Sequence, residues 1–303
     1  MISPELVFDL SLVLLLVGLA TAAIHASQLY TAVVSFIVFG LMLALTWARL
    51  GAMDLALAEA AIGAGLIGVL LLGALGRSAA ESANPIRPAQ RIAGLVLGLL
   101  VLVLLGQAVM PLPGGQSSLP GEVMRALDDS GASHPVTAVL LNFRAWDTLL
   151  ELIVLLLALL GVRQLRPHTP ALPAAWPLLR AWSRVLAPLT VMVGGYLLWR
   201  GSHAPGGAFQ AGAILAAGAV ILRLGGILPH IGWQHWWLRA LVLLGVALFS
   251  LVAAASAWLG DGWLVYPQQW SGGLILMIEI AATLSIAAAL MLLVIGDTEE
   301  LAA

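Results

Sequence analysis

Four groups of ionisable residues lie inside or against long apolar runs, where a charge near mid-bilayer costs about 2.5–3.5 kcal/mol on the mildest scale. Glu59 sits in LALAEAAIGAG, with Gly63, Gly65 and Gly68 following it. Arg144, Asp147 and Glu151 are spaced i, i+3 and i+7, so one helical face carries all three, and Thr148 is read onto the same face. Glu279 lies in LILMIEIAATLSI, with Thr283 one turn on. Arg200 and His203 stand just before an apolar run whose first turns hold Gln210. Buried carboxylates can take up and release protons, and ionised ones can ligate a small cation. Glu59 and Glu279 have no basic residue within a turn, which favours an ion-carrying role. For the triplet, Arg144 either tunes two path-lining acids or simply neutralises one of them and pins helices together.

The elements that position these groups are membrane helices. The chain has 303 residues, of which 61% are hydrophobic and 9% charged, with a mean hydropathy of +1.04. An ordinary soluble domain carries about 25% charged residues, so composition excludes that class, and it excludes disordered chains and basic nucleic-acid binders as well. Nine apolar segments are expected, at Leu6–Ile24, Tyr30–Ala48, Asp54–Leu75, Ile92–Val109, Trp146–Val162, Val185–Trp199, Gly206–Leu228, Leu238–Leu259 and Gly272–Gly296. The runs are continuous rather than alternating, which argues against β-barrel strands. The expectation is an all-α polytopic membrane protein of about nine transmembrane helices in two modules. The N-terminus has no positive region before its first apolar run, so that run is read as a retained helix.

Two stretches break the pattern. Met110 to about Ser133 is rich in Pro, Gly and Ser, and Arg163–Arg184 carries Pro167, Pro170, Pro173 and Pro177. Prolines at that spacing oppose a continuous helix and favour an extended linker, so the module boundary is placed there. Loops on one side hold Arg77, Arg87, Arg91, Arg163, Arg166, Arg180, Arg184, Arg223 and Arg239, against Arg49, Arg125, Arg144 and Arg200 on the other. That bias puts the first set in the cytoplasm, the N-terminus outside and the C-terminus inside. A re-entrant segment near Pro135–Phe143 would change the span count but not the bias. With that orientation Glu59, Asp147, Glu151 and Glu279 all fall on the outer half of their helices, roughly 5–15 Å from its end.

Other chemistry finds little support. There is no cysteine, so disulfides, thiolate catalysis and iron–sulfur ligation are excluded. The six histidines occur singly in loops or at span ends without ligand spacing, so no metal centre, no catalytic residue and no resident cofactor is expected. Trp233, Trp236 and Trp237 read as an interfacial belt. The small-residue face Gly207, Ala211, Gly212, Ala216 and Gly218 reads as a packing surface for another helix or a neighbouring protein.

Three segments together resemble a known family. GAMDLALAEAAIGAG at Gly51–Gly65 resembles a helix in the C-terminal part of the large A-type component of Mrp-type cation/proton antiporters, which are assemblies of several subunits. It resembles still more closely the small D-type component of membrane-bound hydrogenases. LNFRAWDTLLE at Leu141–Glu151 resembles the neighbouring FR-x-x-DTL-x-E element, and RGSHAPGGAFQAG at Arg200–Gly212 resembles the hallmark of the B-type component of the antiporters. The departures are Ser202 and His203 where the family usually has His and Asn, Leu150 for Gly, and Asn142 for Asp.

The resemblance implies a fusion: residues 1–167 like the C-terminal helices of the A-type component (hydrogenase D/E-like), 168–178 a Pro-rich cytoplasmic linker, and 179–303 a B-like four-helix module. It implies one part of a complex exchanging Na+ or another monovalent cation for protons in a bacterial or archaeal inner membrane. Its partners would be large antiporter-like subunits and membrane lipid, with no nucleic acid. Glu59 would be the main carrier, Asp147 and Glu151 would line the path beside Arg144, and Glu279 would serve the B-like half. Pro205, Gly206 and Gly207 would form a tight turn ordering a helix end. The chain contains no lysine, so it lacks the Lys–Glu relay of the large subunits and would supply an accessory path or interface. A part in the membrane arm of a redox-driven pump and a purely structural scaffold are the competing expectations.

Overall fold

A computed structural model describes residues 3–78, 88–110, 119–165, 175–229, 231–259 and 262–295; side chains at 76–78, 90, 91 and 259 lie outside that description. Long apolar helices dominate because every backbone amide must be satisfied within its own segment once water is gone. In chain order they are α1 (Pro4–His25), α2 (Leu29–Arg49), α3 (Met53–Ala58), a π-helical turn at Glu59–Leu66, α4 (Ile67–Ser78) and α5 (Pro88–Val109). Three short helices follow, α6 (Leu119–Arg125), α7 (Leu127–Ser130) and α8 (Pro135–Ala138), then a second π turn at Val139–Phe143. The remainder is α9 (Ala145–Gln164), α10 (Pro177–Gly201), α11 (Ala208–Leu224), α12 (Trp236–Leu259) and α13 (Ser271–Ile295). Among the described residues, eight spans are long and apolar enough to cross a membrane, with α3, the first π turn and α4 counting as one; α11 is a ninth, shorter apolar helix of 17 residues. The molecule is an all-α, multi-pass membrane protein.

α13 is the axis of the molecule. Ala281, Ala282, Ser285, Ala288 and Ala289 keep it thin, so α9, α10, α11 and α12 approach it closely and its apolar residues Ile275, Ile278 and Ile286 are fully enclosed. The small face of α11 is used within the chain: Gly212 lies against Ile286 of α13, and Gly218 against Thr190 of α10. α1, α2 and α3–α4 form a flank whose π turn packs on both α2 and α11. α5 differs from all of these, because its described side chains are exposed almost throughout.

The ends of the helices sort into two faces. Arg49 at the end of α2 pairs with Asp9 near the start of α1 at 2.8 Å, and Gly131 nests under Ser271 and Gly272 at the start of α13. On the opposite face Arg180 Nε donates to the Gly225 carbonyl, and the Arg163 guanidinium lies over the Trp233 ring at 4.3 Å. Arg163, Arg180, Arg184, Arg223 and Arg239 therefore share one face, and Arg49, Arg125, Arg144 and Arg200 the other. Arg87 and Arg166, the side chains of Arg77 and Arg91, and Pro167, Pro170 and Pro173 lie outside the described residues.

Two expectations are refined. The Pro135–Phe143 segment is about 14 Å long at helical rise, too short to cross. It bends at Arg144 (φ −128°, ψ 36°) so that Thr148 Oγ1 donates back to the Leu140 carbonyl at 2.7 Å. The linker expected at 168–178 ends in helix, since α10 begins at Pro177, a residue suited to a first helical position. In the α12–α13 connection, burial pushes the Tyr266 phenol well above its ordinary pKa.

Candidate functional site

The centre of interest is the carboxylate of Glu279, 1% exposed and seated one-third of the way along α13. The turn joining α10 to α11 covers it. A Cβ added at Gly207 would stand 3.3 Å from Glu279 Oε1, and one at Gly201 would stand 3.1 Å from the same atom and 2.6 Å from the Gly207 Cα. Gly207 adopts φ +114°, a backbone conformation closed to most side chains. The turn residues are thus glycine for two reasons, the sharp reversal and the contact with the acid. Ser202 Oγ makes a long 3.4 Å contact to Glu279 Oε2, and the Thr283 hydroxyl donates to the Glu279 carbonyl. Ser202 stands where the family pattern has His, so here a small neutral donor faces the acid.

The turn is held from outside by residues of the first half of the chain. Asp54, in the first turn of α3, accepts from the Gly206 backbone N–H on Oδ1 at 3.2 Å and pairs with His134 Nε2 on Oδ2 at 2.9 Å. Gln210 Nε2 reaches the Asp54 carbonyl at 3.4 Å. The Ser202 carbonyl accepts from the backbone N–H groups of both Ser133 and His134 at 3.1 Å, and Thr137 Oγ1 donates to the Gly201 carbonyl. Side chains of Asp54 and His134 are 17% and 13% exposed, so this ring of contacts sits between the surface and Glu279.

Neither Asp54 nor His134 stands out as a site residue in the sequence. Asp54 carried a usable signal, an acid at the mouth of an apolar run shortly after α2 stops. His134 carried none, being a lone loop histidine.

Glu59 opens the π turn and is half-buried. Its carboxylate lies where a Cβ at Gly63 would be, so Gly63 makes room for the acid itself. Gly65 serves the backbone: a Cβ there would come within 3.2 Å of the Ala60 carbonyl five residues back, the partner spacing of a π-helix.

The Arg144 triplet lies at the start of α9. Arg144 Nη2 binds Asp147 Oδ2 at 2.6 Å, with the arginine 70% exposed, and Glu151 lies exposed further along α9. Thr148 does not share that face; it is buried and bonded to Leu140, because one residue from Asp147 is about 100° around the helix. Arg200 and His203 also leave the site, since the His203 ring packs tilted against Trp199 at 6.0 Å between ring centroids and the Arg200 guanidinium sits 5.9 Å from the Tyr196 ring. Pro205 only leads into the Gly206–Gly207 turn.

The fold and site define a polytopic helical membrane protein with a glycine-capped buried acid, built from two unlike halves. Residues 14–80 match the MbhD family model, that of the D subunit of MBH, and residues 178–297 match that of a domain related to the MnhB subunit of Na+/H+ antiporter. A curated relative, the probable K(+)/H(+) antiporter A/B subunit of Rhizobium meliloti (strain 1021), is 26% identical over 195 residues. The match covers 55% of this chain but only 19% of that protein, so the chain spans about a fifth of the length of its curated relative.

Among solved structures, the fold is shared with the Mrp complex from Dietzia sp. DQ12-45-1b, with a TM-score of 0.77 and 24% identity, covering 95% of this chain and 35% of that one. It also overlaps the membrane-bound sulfane sulfur reductase (MBS), an archaeal respiratory membrane complex, with a TM-score of 0.55 and 23% identity. That overlap covers 70% of this chain and the whole of the other. Matches in this order make the chain similar to an MbhD-like part followed by an MnhB-related part.

Proposed function

We propose that this chain is one membrane component of a monovalent cation/proton antiporter built from several subunits, and that it contributes an acidic ion site as part of a secondary transporter rather than an enzyme. The observation that carries the reading is Glu279. A carboxylate enclosed by two glycines, with one neutral hydroxyl on its Oε2, is most stable when a proton or small cation is bound. The MnhB-related match and the A/B relative support the same assignment, and other Mrp-type subunits are its partners in this reading. Glu59 is the second carrier, in the first half. The exposed Arg144–Asp147 pair and Glu151 line a path or interface completed by a neighbouring subunit.

The two modules, 1–167 and 179–303, work as one unit around the α10–α11 turn. The Arg-rich face lies in the cytoplasm of a bacterial or archaeal cell, which puts the Glu279 site toward the outside. The transported ions are H+ and Na+ or K+, the latter being the ion in the relative's name.

The test is cation-dependent proton exchange in inverted vesicles carrying the whole complex, with Na+ and K+ compared. Glu279→Gln and Glu59→Gln are expected to assemble and to lose most of the exchange. Full activity in both variants would return the chain to a scaffolding role.

A second reading follows from the MbhD match, namely a membrane arm of a redox-driven ion pump. Purifying the tagged chain in mild detergent and identifying its partners by mass spectrometry separates the two. Antiporter-like subunits alone support the antiporter; iron–sulfur or hydrogenase-like partners support the pump.

A further inference from the structure

We propose that Asp54 and His134 are positioning residues that clamp the Gly206–Gly207 turn over Glu279, so that the first half of the chain controls access to the acid in the second half. The proposal rests on the reading of Glu279 as an ion site, and its geometry is a closed ring of contacts. Glu279 meets Ser202 on one side and Gly207 on the other. The Ser202 carbonyl is held by the backbone N–H groups of Ser133 and His134. The His134 ring holds Asp54, Asp54 holds the Gly206 N–H, and Gly206 leads into Gly207. Both ends of the cover are therefore fastened to the first half, one through residues 133–137 and the other through Asp54. Within the second half the Gly207 N–H is anchored to the Leu197 carbonyl and the Ala204 N–H to that of Arg200, so the clamp acts beside bonds that the turn makes itself.

An aspartate suits this task better than a neutral residue. It sits at a helix start, where the aligned peptide dipoles favour negative charge, and its two oxygens take two unlike donors at once. His134 couples the two fastenings, since its backbone grips Ser202 while its ring grips Asp54. Movement of α3, α8 or the first π turn is thereby passed to the cover without any change in α13.

The test uses the full chain in its native complex and a water-soluble carbodiimide with an amine nucleophile, which modifies only carboxyl groups that water reaches. Labelling at Glu279 is read by peptide mass spectrometry, beside the melting temperature of each variant. Asp54→Ala is expected to speed Glu279 labelling about tenfold, the opening expected from loss of a hydrogen bond to a charged group. His134→Ala, which keeps both backbone bonds to Ser202, is expected to act in the same direction. Asp129→Ala removes a different contact on the same face, that with Gln268, and is expected to leave Glu279 labelling unchanged.

An unchanged rate in Asp54→Ala overturns the clamp, and so does an equal increase in Asp129→Ala, which would signal general loosening. Should the variants fail to assemble, amide exchange at Gly206 in the unaltered complex decides: protection is expected, and exchange at the rate of an open loop overturns the proposal. If Glu279→Gln transports normally, the ion-site reading falls while the labelling result still judges the clamp.

Discussion

Gly63 and Gly207 are two residues at which the absence of a side chain has a direct chemical consequence. At Gly63 a methyl group would occupy the position of the Glu59 carboxylate, so Gly63→Ala must turn that acid out of its place. The expected outcome is a loss of cation/proton exchange close to that of Glu59→Gln, with normal assembly, measured in the same vesicles. At Gly207 the cost is to the backbone as well. Gly207→Ala places a Cβ at φ +114° and against Glu279, and strain of this kind amounts to about 1–3 kcal/mol. A lowered melting temperature of the purified complex is expected, and an unchanged one would mean that the turn relaxes freely. Ser202 offers a milder probe, because Ser202→Ala removes the hydroxyl facing Glu279 and leaves the carbonyl that receives Ser133 and His134.

The first π turn sets how Glu59 is presented relative to everything that follows it. One residue more than an α-helix needs is accommodated between Glu59 and Leu66, and Gly65 passes close to Ala60 to allow it. Deleting Ala61 should let the segment wind as ordinary α-helix, keep the flanking helices in register, and set Gly63 three rather than four residues from Glu59, so that the carboxylate is presented differently. Membrane insertion should persist while exchange is lost; retained exchange would show that the orientation of Glu59 is immaterial. The bend at Arg144 is a comparable device, since it frees residues 133–137 to reach α10 while α9 continues across toward Gln164.

For the whole molecule, the two faces make a testable topology, and a chain without cysteine permits single-cysteine labelling without background. Under the proposed orientation, His203→Cys reacts in intact cells with a membrane-impermeant maleimide and Gln234→Cys only after permeabilisation. The reverse pattern would invert the protein and place the Glu279 site on the cytoplasmic side. α5 extends the argument to neighbours: it is apolar all round and its described side chains find little cover within the chain. Lipid or another protein must cover it in the membrane, as for any helix without a polar face.

The class of fold, the approximate spans and the division of the described arginines between two faces were legible in the sequence, because they follow from local composition and from the length of chain a bilayer demands. Glu59, Glu279 and the PGG turn were legible as well, since an acid in an apolar run and a Pro-Gly-Gly break stand out against their immediate neighbours. The ring around Glu279 was not. Asp54 meets His134 eighty positions further on and Gly206 one hundred and fifty-two positions further on. No periodicity links residues so distant, and each taken alone resembles an ordinary helix-end acid or loop histidine. The tertiary structure also separated groups that spacing had joined, sending Thr148 inward and Arg200 with His203 toward their aromatic neighbours. Helical spacing determines which residues share a face of one element. Only the packing of α3, α8, α10, α11 and α13 against one another decided which of those faces meet, because that choice depends on contacts between segments far apart in the chain.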